Sequence, residues 1–307
     1  MRKNSILKQK TKKLDMGGNL LFARLVFEKK LHHHIKDNKE LINDRKDLLL
    51  KVINYDTVIN KLLSKRCKQN KECKIYTKHD WRFAGIKKGE DYIYGKLGKI
   101  ATHNLLQPND EKRDFIITKA NEAFILYFLI DLENNIIAYE AKQNIGDKAP
   151  LIIISETFNQ FFEDKETLKM NLLADPRKIL KRIMQLRRVK EIDLTITPSN
   201  PHSAKPSDEM DKLLKNGNIT RLIIKGYSQH KDGILLDKIP LIKSGFYLAE
   251  EGFGSAKAKE TDENSITTGD IPIRRKGKVL ENMDEENISH LKYHIREILK
   301  ILEGKNV

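Results

Sequence analysis

Residues 124–142 read FILYFLIDLENNIIAYEAK, and this stretch decides the fold. Two apolar runs rich in β-branched and aromatic residues flank the polar sequence Glu133-Asn134-Asn135, which is typical of a turn between two strands. With a similar run just before them, the segments 114–118, 123–131 and 135–142 predict an antiparallel β-meander. The longest apolar run covers seven residues, 124–130, and is too short to cross a membrane as a helix.

Hydrophobic spacing outside the meander predicts a mixture of strands and amphipathic helices. Strands are predicted at 20–28, 191–197 and 219–226, in a hairpin between 74 and 100, and near the glycines at 245, 252 and 254. Helices are predicted at 38–53, 55–66, 175–190, 207–216 and 284–303. The sequence LIIIS at 151–155 predicts a strand that leads into a helix ending near 162, and residues 256–270 predict a polar loop.

Strands follow strands more often than they alternate with helices, which favours an α+β fold over a doubly wound sheet. We therefore predict antiparallel β-meanders packed against amphipathic helices, in two subdomains. The predicted organisation is a flexible basic arm at 1–13, an N-terminal α+β domain at 14–165 and a C-terminal α+β domain at 166–307.

The charge of the chain is large and unevenly distributed. The 307 residues carry a formal net charge of +15, and two cysteines, Cys67 and Cys73, are too few for a disulfide framework. Residues 1–110 contain 26 Lys+Arg and 12 Asp+Glu, whereas residues 111–307 contain 32 and 31. The imbalance predicts that the N-terminal third contacts a polyanion such as nucleic acid, although a lysine-rich solvated surface is the simpler alternative. The composition indicates a cytoplasmic protein with no membrane partner.

One sequence pattern is consistent with catalysis. Asp131 and the Glu140-x-Lys142 pair lie on two paired strands, as in many nucleases of the PD-(D/E)xK type. There, two carboxylates hold Mg²⁺, which activates water, while the lysine neutralises charge. Alternation along a strand places Glu140 and Lys142 on one face. A surface ion pair on the hairpin is the alternative.

Basic clusters are the stronger signal. The predicted helix at 176–190 carries Lys and Arg opposite an apolar stripe, and a second cluster has the composition of an exposed loop. The predicted DNA-binding residues are Arg177, Lys178, Lys181, Arg182 and Arg188 on the helix, and Arg274, Arg275, Lys276 and Lys278 in the loop. Lys65, Arg66, Lys68, Lys71 and Lys74 form a third cluster, and the arm at 1–13 is a fourth. Without a sequence-reading motif, binding to duplex DNA would depend on the phosphate backbone.

Other motifs predict neither a metal nor a cofactor. His32-His33-His34 alternate faces in a strand, and the pair His290 and His294 lacks the glutamate of HExxH. Gly252-Phe253-Gly254 lacks the third glycine of a dinucleotide-binding loop.

The string LTITPSNP at 194–201, followed by a helix, the strand RLIIKGYSQ and then GFYLAEEGFGSAKAK, resembles small phage-exclusion and anti-phage accessory proteins. These are the phage lambda RexA type, with an RdgC-like fold, and more distantly the KwaB subunit of Kiwa defence. The resemblance covers about residues 115–260 and implies a dimeric α+β protein that binds duplex DNA without strong sequence preference and acts with a partner protein. It supplies no catalytic residue. Asn200, Gly252 and Gly254 are the matched positions at which special backbone geometry is expected.

Three functional classes remain. The first is a non-catalytic DNA-binding accessory protein of bacterial anti-phage defence, and it is the one we favour. The second is a Mg²⁺-dependent nuclease that uses Asp131, Glu140 and Lys142. The third is an interaction module for an acidic protein or RNA.

Overall fold

The computed structural model describes residues 18–29, 38–56, 79–109, 111, 113–162, 166–174, 182–183, 185–199, 209–260, 264–268, 272–277 and 284–302. The strands are β1 (Gly18–Lys29), β2 (Asp80–Lys88), β3 (Tyr92–Asn109), β4 (Asp114–Asp131), β5 (Ile136–Ala141), β6 (Glu166–Leu172), β7 (Glu191–Ile196), β8 (Leu222–Tyr227), β9 (Gly254–Lys259), β10 (Ser265–Thr267) and β11 (Arg274–Gly277). The helices are α1 (Asn38–Val52), α2 (Ala149–Phe162), α3 (Glu209–Asn216), α4 (Pro240–Glu250) and α5 (Glu285–Leu302), with a short 3₁₀ turn at Leu236–Lys238. They form two antiparallel sheets with packed helices, which confirms the predicted α+β class.

The larger sheet contains seven of the described strands. Its order is β11-β1-β5-β4-β3-β2, and β6 lies on the same side of β1 as β11. The two strands share this edge end to end, because β11 pairs with residues 18–21 of β1 and β6 pairs with residues 23–29. Strands β1 and β5 therefore lie inside the sheet, which explains why their sequences are apolar at successive positions rather than at alternate ones.

Helices cover both faces of this sheet. Leu21 and Leu25 of β1 pack with α1 and α2 on one face, which we call the α2 face. Leu20 and Phe22 point the other way and pack with Leu291 and its neighbours in α5, on what we call the α5 face. The alternation of β1 thus joins two apolar cores on opposite sides of one sheet.

The smaller sheet has the order β10-β9-β7-β8 and packs its inner side chains against α3 and α4. Gly245 lies in the middle of α4, where an added Cβ would come within 2.7 Å of Ile196. The expectation of a strand bounded by this glycine is wrong. Gly245 belongs to a helix, and its missing Cβ lets α4 pack closely onto β7. The predicted loop at 256–270 is also wrong for its described residues, since β9 and β10 form a hairpin there.

Two further expectations are corrected. The sequence LIIIS belongs to α2, which begins at Ala149, and an apolar run of this length does not distinguish a strand from a buried helix. The segment expected to be a basic loop at 274–278 is strand β11 over its described residues, because it pairs with the open edge of β1. The predicted strand at 20–28, the helices at 38–53 and 284–303 and the turn at Glu133–Asn135 are confirmed.

The predicted boundary between residues 165 and 166 does not coincide with the division between the two sheets. Strands β6 and β11 and helix α5 all follow that boundary and join the larger sheet. Arg24, on the α5 face of β1, links the two parts: its Nε donates to the Glu251 carbonyl (2.9 Å), and its guanidinium lies 4.7 Å from the centre of the Phe253 ring. Burial lowers the pKa of Arg24 to about 10.

Two of the three positions expected to have special backbone geometry are confirmed. Gly252 has φ +87°, and a Cβ there would collide with Arg24. Gly254 has φ +155°, and a Cβ there would collide with the Thr195 carbonyl oxygen. Asn200 lies outside the described residues. Just before it, Ser199 donates from its N–H and its hydroxyl to Asp211, at 2.6 and 2.8 Å, which fixes the start of this turn.

Candidate nucleic-acid interface

Strand β1 brings together two clusters that are far apart in the sequence. Leu20 pairs with Arg275 on one side and with Glu140 on the other. Arg275 and Glu140 consequently lie on the same face of the sheet with one strand between them, about 10 Å apart along the hydrogen-bonding direction. The basic segment at 274–276 and the Glu140-x-Lys142 pair therefore form one region.

Two lysines of β3 extend this region. Lys96 places its Nζ 5.3 Å from the centre of the Tyr127 ring, and Lys99 donates from Nζ to the Asn144 carbonyl (2.9 Å), just beyond β5. We call the resulting surface the basic sheet end, and it consists of Lys96, Lys99, Lys142, Arg274, Arg275 and Lys276. Sequence reasoning missed Lys96 and Lys99 because each is a single lysine in a strand, and only the register brings them near the other four.

Cations outnumber acids at the basic sheet end. Asp147 forms an ion pair with Arg274 across the end of the sheet. Lys276 is exposed, and Arg275 is half-buried on the α5 face. Several positive groups at one end of a sheet can contact a chain of phosphates together, and each contact would release counterions.

The Glu140–Lys142 pair is partly buried. Lys142 Nζ lies 3.2 Å from Glu140 Oε2; the glutamate side chain is 1% exposed and the lysine 36%. The expectation that both residues share one face is confirmed, but the pair is not a solvated one. Glu140 also acts on Tyr94. The pKa of the Tyr94 hydroxyl is raised, first by burial and then by the charges of Tyr127, Asp284 and Glu140. The geometry indicates that Lys142 stabilises a carboxylate held in the interior.

Asp131 does not join this pair. It is opposite Ile136 in the β4–β5 hairpin, four residues from Glu140 and therefore about 13 Å away along the strand. Its two carboxylate oxygens accept hydrogen bonds at 2.9 Å from the backbone and side chain of Asn134, so that it closes the turn. Burial raises the pKa of Asp131, against the lowering effect of these bonds.

Two carboxylates at this separation do not share one Mg²⁺, whose ligand distances are about 2 Å. No three His, Cys, Asp or Glu side chains are grouped to hold a metal ion within the described residues. His290 and His294 contact each other in α5, with ring centres 4.5 Å apart. The proposed nuclease constellation is thus not assembled.

The other predicted DNA-binding residues lie elsewhere or outside the described residues. Arg182 is exposed, and Arg188 donates to the Lys231 carbonyl (3.4 Å) beside the smaller sheet. The structure does not bring these two arginines to the basic sheet end. Four predicted DNA-binding residues lie outside the described residues: Arg177, Lys178, Lys181 and Lys278. The basic arm at 1–13 and the cluster at 65–74 also lie outside them.

No helix in the described part of the chain is long and apolar enough to cross a membrane. No curated protein matches the sequence. A family model, that of a domain of unknown function (DUF4747), matches residues 50–296, a span that leaves out β1 but includes all six residues of the basic sheet end. The chain therefore belongs to the DUF4747 family.

Proposed function

We propose that this protein binds duplex DNA largely independently of sequence, through the basic sheet end, as a non-catalytic accessory protein of bacterial anti-phage defence. The observation that carries the DNA-binding proposal is the convergence of six cationic side chains from β3, β11 and the residue after β5 at one end of the larger sheet. The resemblance to phage-exclusion proteins supports the role in defence and the presence of a partner protein, and the composition supports a cytoplasmic location.

Contacts to the DNA phosphate backbone fit this surface better than recognition of base edges does. The basic sheet end belongs to a sheet whose faces are covered by helices, so its described residues offer no free helix to enter a major groove. Its charges lie on both the α5 face and the α2 face, which suits contact with phosphates along one side of a duplex. Such binding weakens steeply with salt and varies little with sequence.

The test compares two double variants of equal charge. Lys99→Gln with Lys276→Gln removes two cations from the basic sheet end. Lys243→Gln with Lys257→Gln removes two exposed cations from α4 and β9, which belong to the smaller sheet and the helices packed on it. Binding to a fluorescent duplex is measured by anisotropy over a range of salt concentrations.

We expect the first variant to bind about tenfold or more weakly and its salt slope to fall by about 2, which corresponds to two phosphate contacts. The control variant should retain the wild-type slope. Equal losses in both variants would mean that only net charge matters, and this would remove the basic sheet end from the proposal.

A further inference from the structure

Strands β3 and β4 extend well beyond the rest of the larger sheet. Each has 18 residues, but β2 pairs with β3 only as far as Ile100, and β5 pairs with β4 only from Phe128 onward. Among the described residues, 101–109 and 114–123 therefore form a ribbon of two strands, which we call the arm and which is distinct from the basic arm predicted at 1–13. Its length is about 30 Å at the usual rise per residue of a strand.

The arm carries exposed apolar side chains near its tip. Leu106 is 69% exposed, Phe115 65% and Ile117 68%. Leu106 pairs with Ile117 and Pro108 with Phe115, so that all four side chains lie on one face of the arm. Exposed apolar residues grouped in this way mark an interaction surface.

Strand β4 forms one edge of the arm. Between Asp114 and Phe124, no described strand pairs with the outer side of β4. A ribbon of two strands is marginally stable alone, whereas four strands with one apolar face are stable. Such an edge is a template for pairing with another strand.

The charge of the arm argues against nucleic acid as its partner. Its described charged residues, including the turn, are Arg113 and Lys119 against Glu111, Asp114 and Glu122. In a chain of net charge +15, this is a segment without positive excess. A protein surface suits it better than a phosphate backbone does.

We propose that the arm joins a second copy of this chain, with the outer edges of the two β4 strands paired antiparallel about Ala120. This register places Phe115 opposite Ile125, Ile116 opposite Phe124 and Ile117 opposite Ala123 of the second copy. Apolar residues then meet apolar residues on both faces of a four-stranded sheet.

Neighbouring two-fold registers are less favourable. Pairing about Lys119 or Glu122 places like charges directly opposite each other, which destabilises an antiparallel pair. Pairing about Asn121 sets Thr118 opposite Phe124 and Ala120 opposite Glu122. A two-fold arrangement about Ala120 avoids both problems and closes on itself as a dimer.

The same register brings opposite charges together. With Phe115 beside Ile125, the tip of one arm reaches the end of β5 in the other copy. Glu111 and Asp114, both exposed, lie at that tip, and Lys142 follows the end of β5. The acidic tip of each copy therefore lies near Lys142 of the other, whereas β11, on the far side of β5 and β1, stays outside this contact.

The test uses site-specific disulfide formation in a background with Cys67→Ser and Cys73→Ser. In the proposed register, two copies of Ala120→Cys lie directly opposite each other, with Cα atoms about 4.5 to 5.5 Å apart, a separation that suits a disulfide. Ala123→Cys, on the same strand, is a matched control: its two copies would be about 20 Å apart. Sedimentation velocity of the wild-type chain and of Ile117→Lys measures the mass in solution.

We expect the wild-type protein to sediment at twice the chain mass of 35.6 kDa and Ile117→Lys to shift to the single-chain mass. Ala120→Cys should crosslink under mild oxidation, and Ala123→Cys should not. A monomeric wild-type protein overturns the proposal and points to a different protein partner for the arm. A dimer that fails to crosslink through Ala120→Cys, or that crosslinks as readily through Ala123→Cys, overturns it as well.

Discussion

The Glu140–Lys142 ion pair should make a measurable contribution to stability. The two charged atoms are 3.2 Å apart, with the carboxylate buried and the ammonium about one third exposed. Coulomb's law with an effective dielectric constant near 20 gives an attraction of about 5 kcal/mol before the loss of hydration is subtracted. Exposed pairs retain less than about 1 kcal/mol, and breaking a fully buried pair costs about 3 to 5 kcal/mol. We therefore expect Lys142→Ala to lower the free energy of unfolding by about 2 kcal/mol.

A double-mutant cycle isolates this interaction. Adding Glu140→Gln to Lys142→Ala should recover part of the loss, because the buried group then carries no charge, and the coupling energy should be about 1 to 2 kcal/mol. Urea unfolding is followed by the fluorescence of Trp81, the single tryptophan, which is 2% exposed. Lys257→Ala, an exposed strand lysine in the other sheet, is the control and should change stability by less than about 0.5 kcal/mol. Additive effects of the two substitutions would show that the pair contributes nothing, which would refute a structural role for Lys142.

Three further predictions concern the fold. Gly254→Ala should destabilise the protein by more than about 3 kcal/mol, because the added Cβ would lie 2.1 Å from the Thr195 carbonyl oxygen. Gly146→Ala, at φ +83° with nothing within 4 Å, should cost only about 1 kcal/mol, and equal midpoints of urea unfolding for the two variants would contradict this account. Arg24→Met should lower the free energy of unfolding by about 2 to 4 kcal/mol, since it removes two hydrogen bonds between buried parts of the chain; an unchanged urea midpoint would contradict it. Burial, then the neighbouring His and Arg charges, lower the pKa of His294, so the unfolded state takes up a proton first as the pH falls below about 6.5. Stability should therefore decrease on acidification from about pH 7.5 to 5.5, and His294→Gln should reduce that decrease in a thermal melt; an identical pH dependence in the variant would refute the assignment.

Local patterns predicted the elements whose signals are complete within a short segment. The hairpin at 124–142 follows from two β-branched runs and a polar turn, and Asn135 adopts φ +51° there, as a turn residue does. Helix α5 follows from its apolar stripe. The start of α2 also had a signal in Pro150 near its first turn, but the apolar run after it outweighed that signal.

Long-range pairing explains most of what the sequence did not reveal. Strand β11 has no apolar residue, and it forms because β1 offers an open edge more than 250 residues earlier in the chain. The same pairing joins Arg275 to the region of Glu140. Asp131 and Glu140 are on the same face, but the hairpin register separates them along the strand. A sequence pattern gives the face of a strand, whereas distance along it depends on register.

The most direct test of the central claim is the salt dependence of duplex binding by the wild-type protein. Anisotropy with two duplexes of unrelated sequence is measured from about 50 to about 300 mM NaCl, with and without Mg²⁺, and the duplexes are then checked on a gel. If four to six cations of the basic sheet end contact phosphates, the plot of log affinity against log salt should have a slope of about −4 to −5 for both sequences, with the duplexes intact. Absence of binding at about 50 mM NaCl, or cleavage of the duplexes in Mg²⁺, would contradict the account.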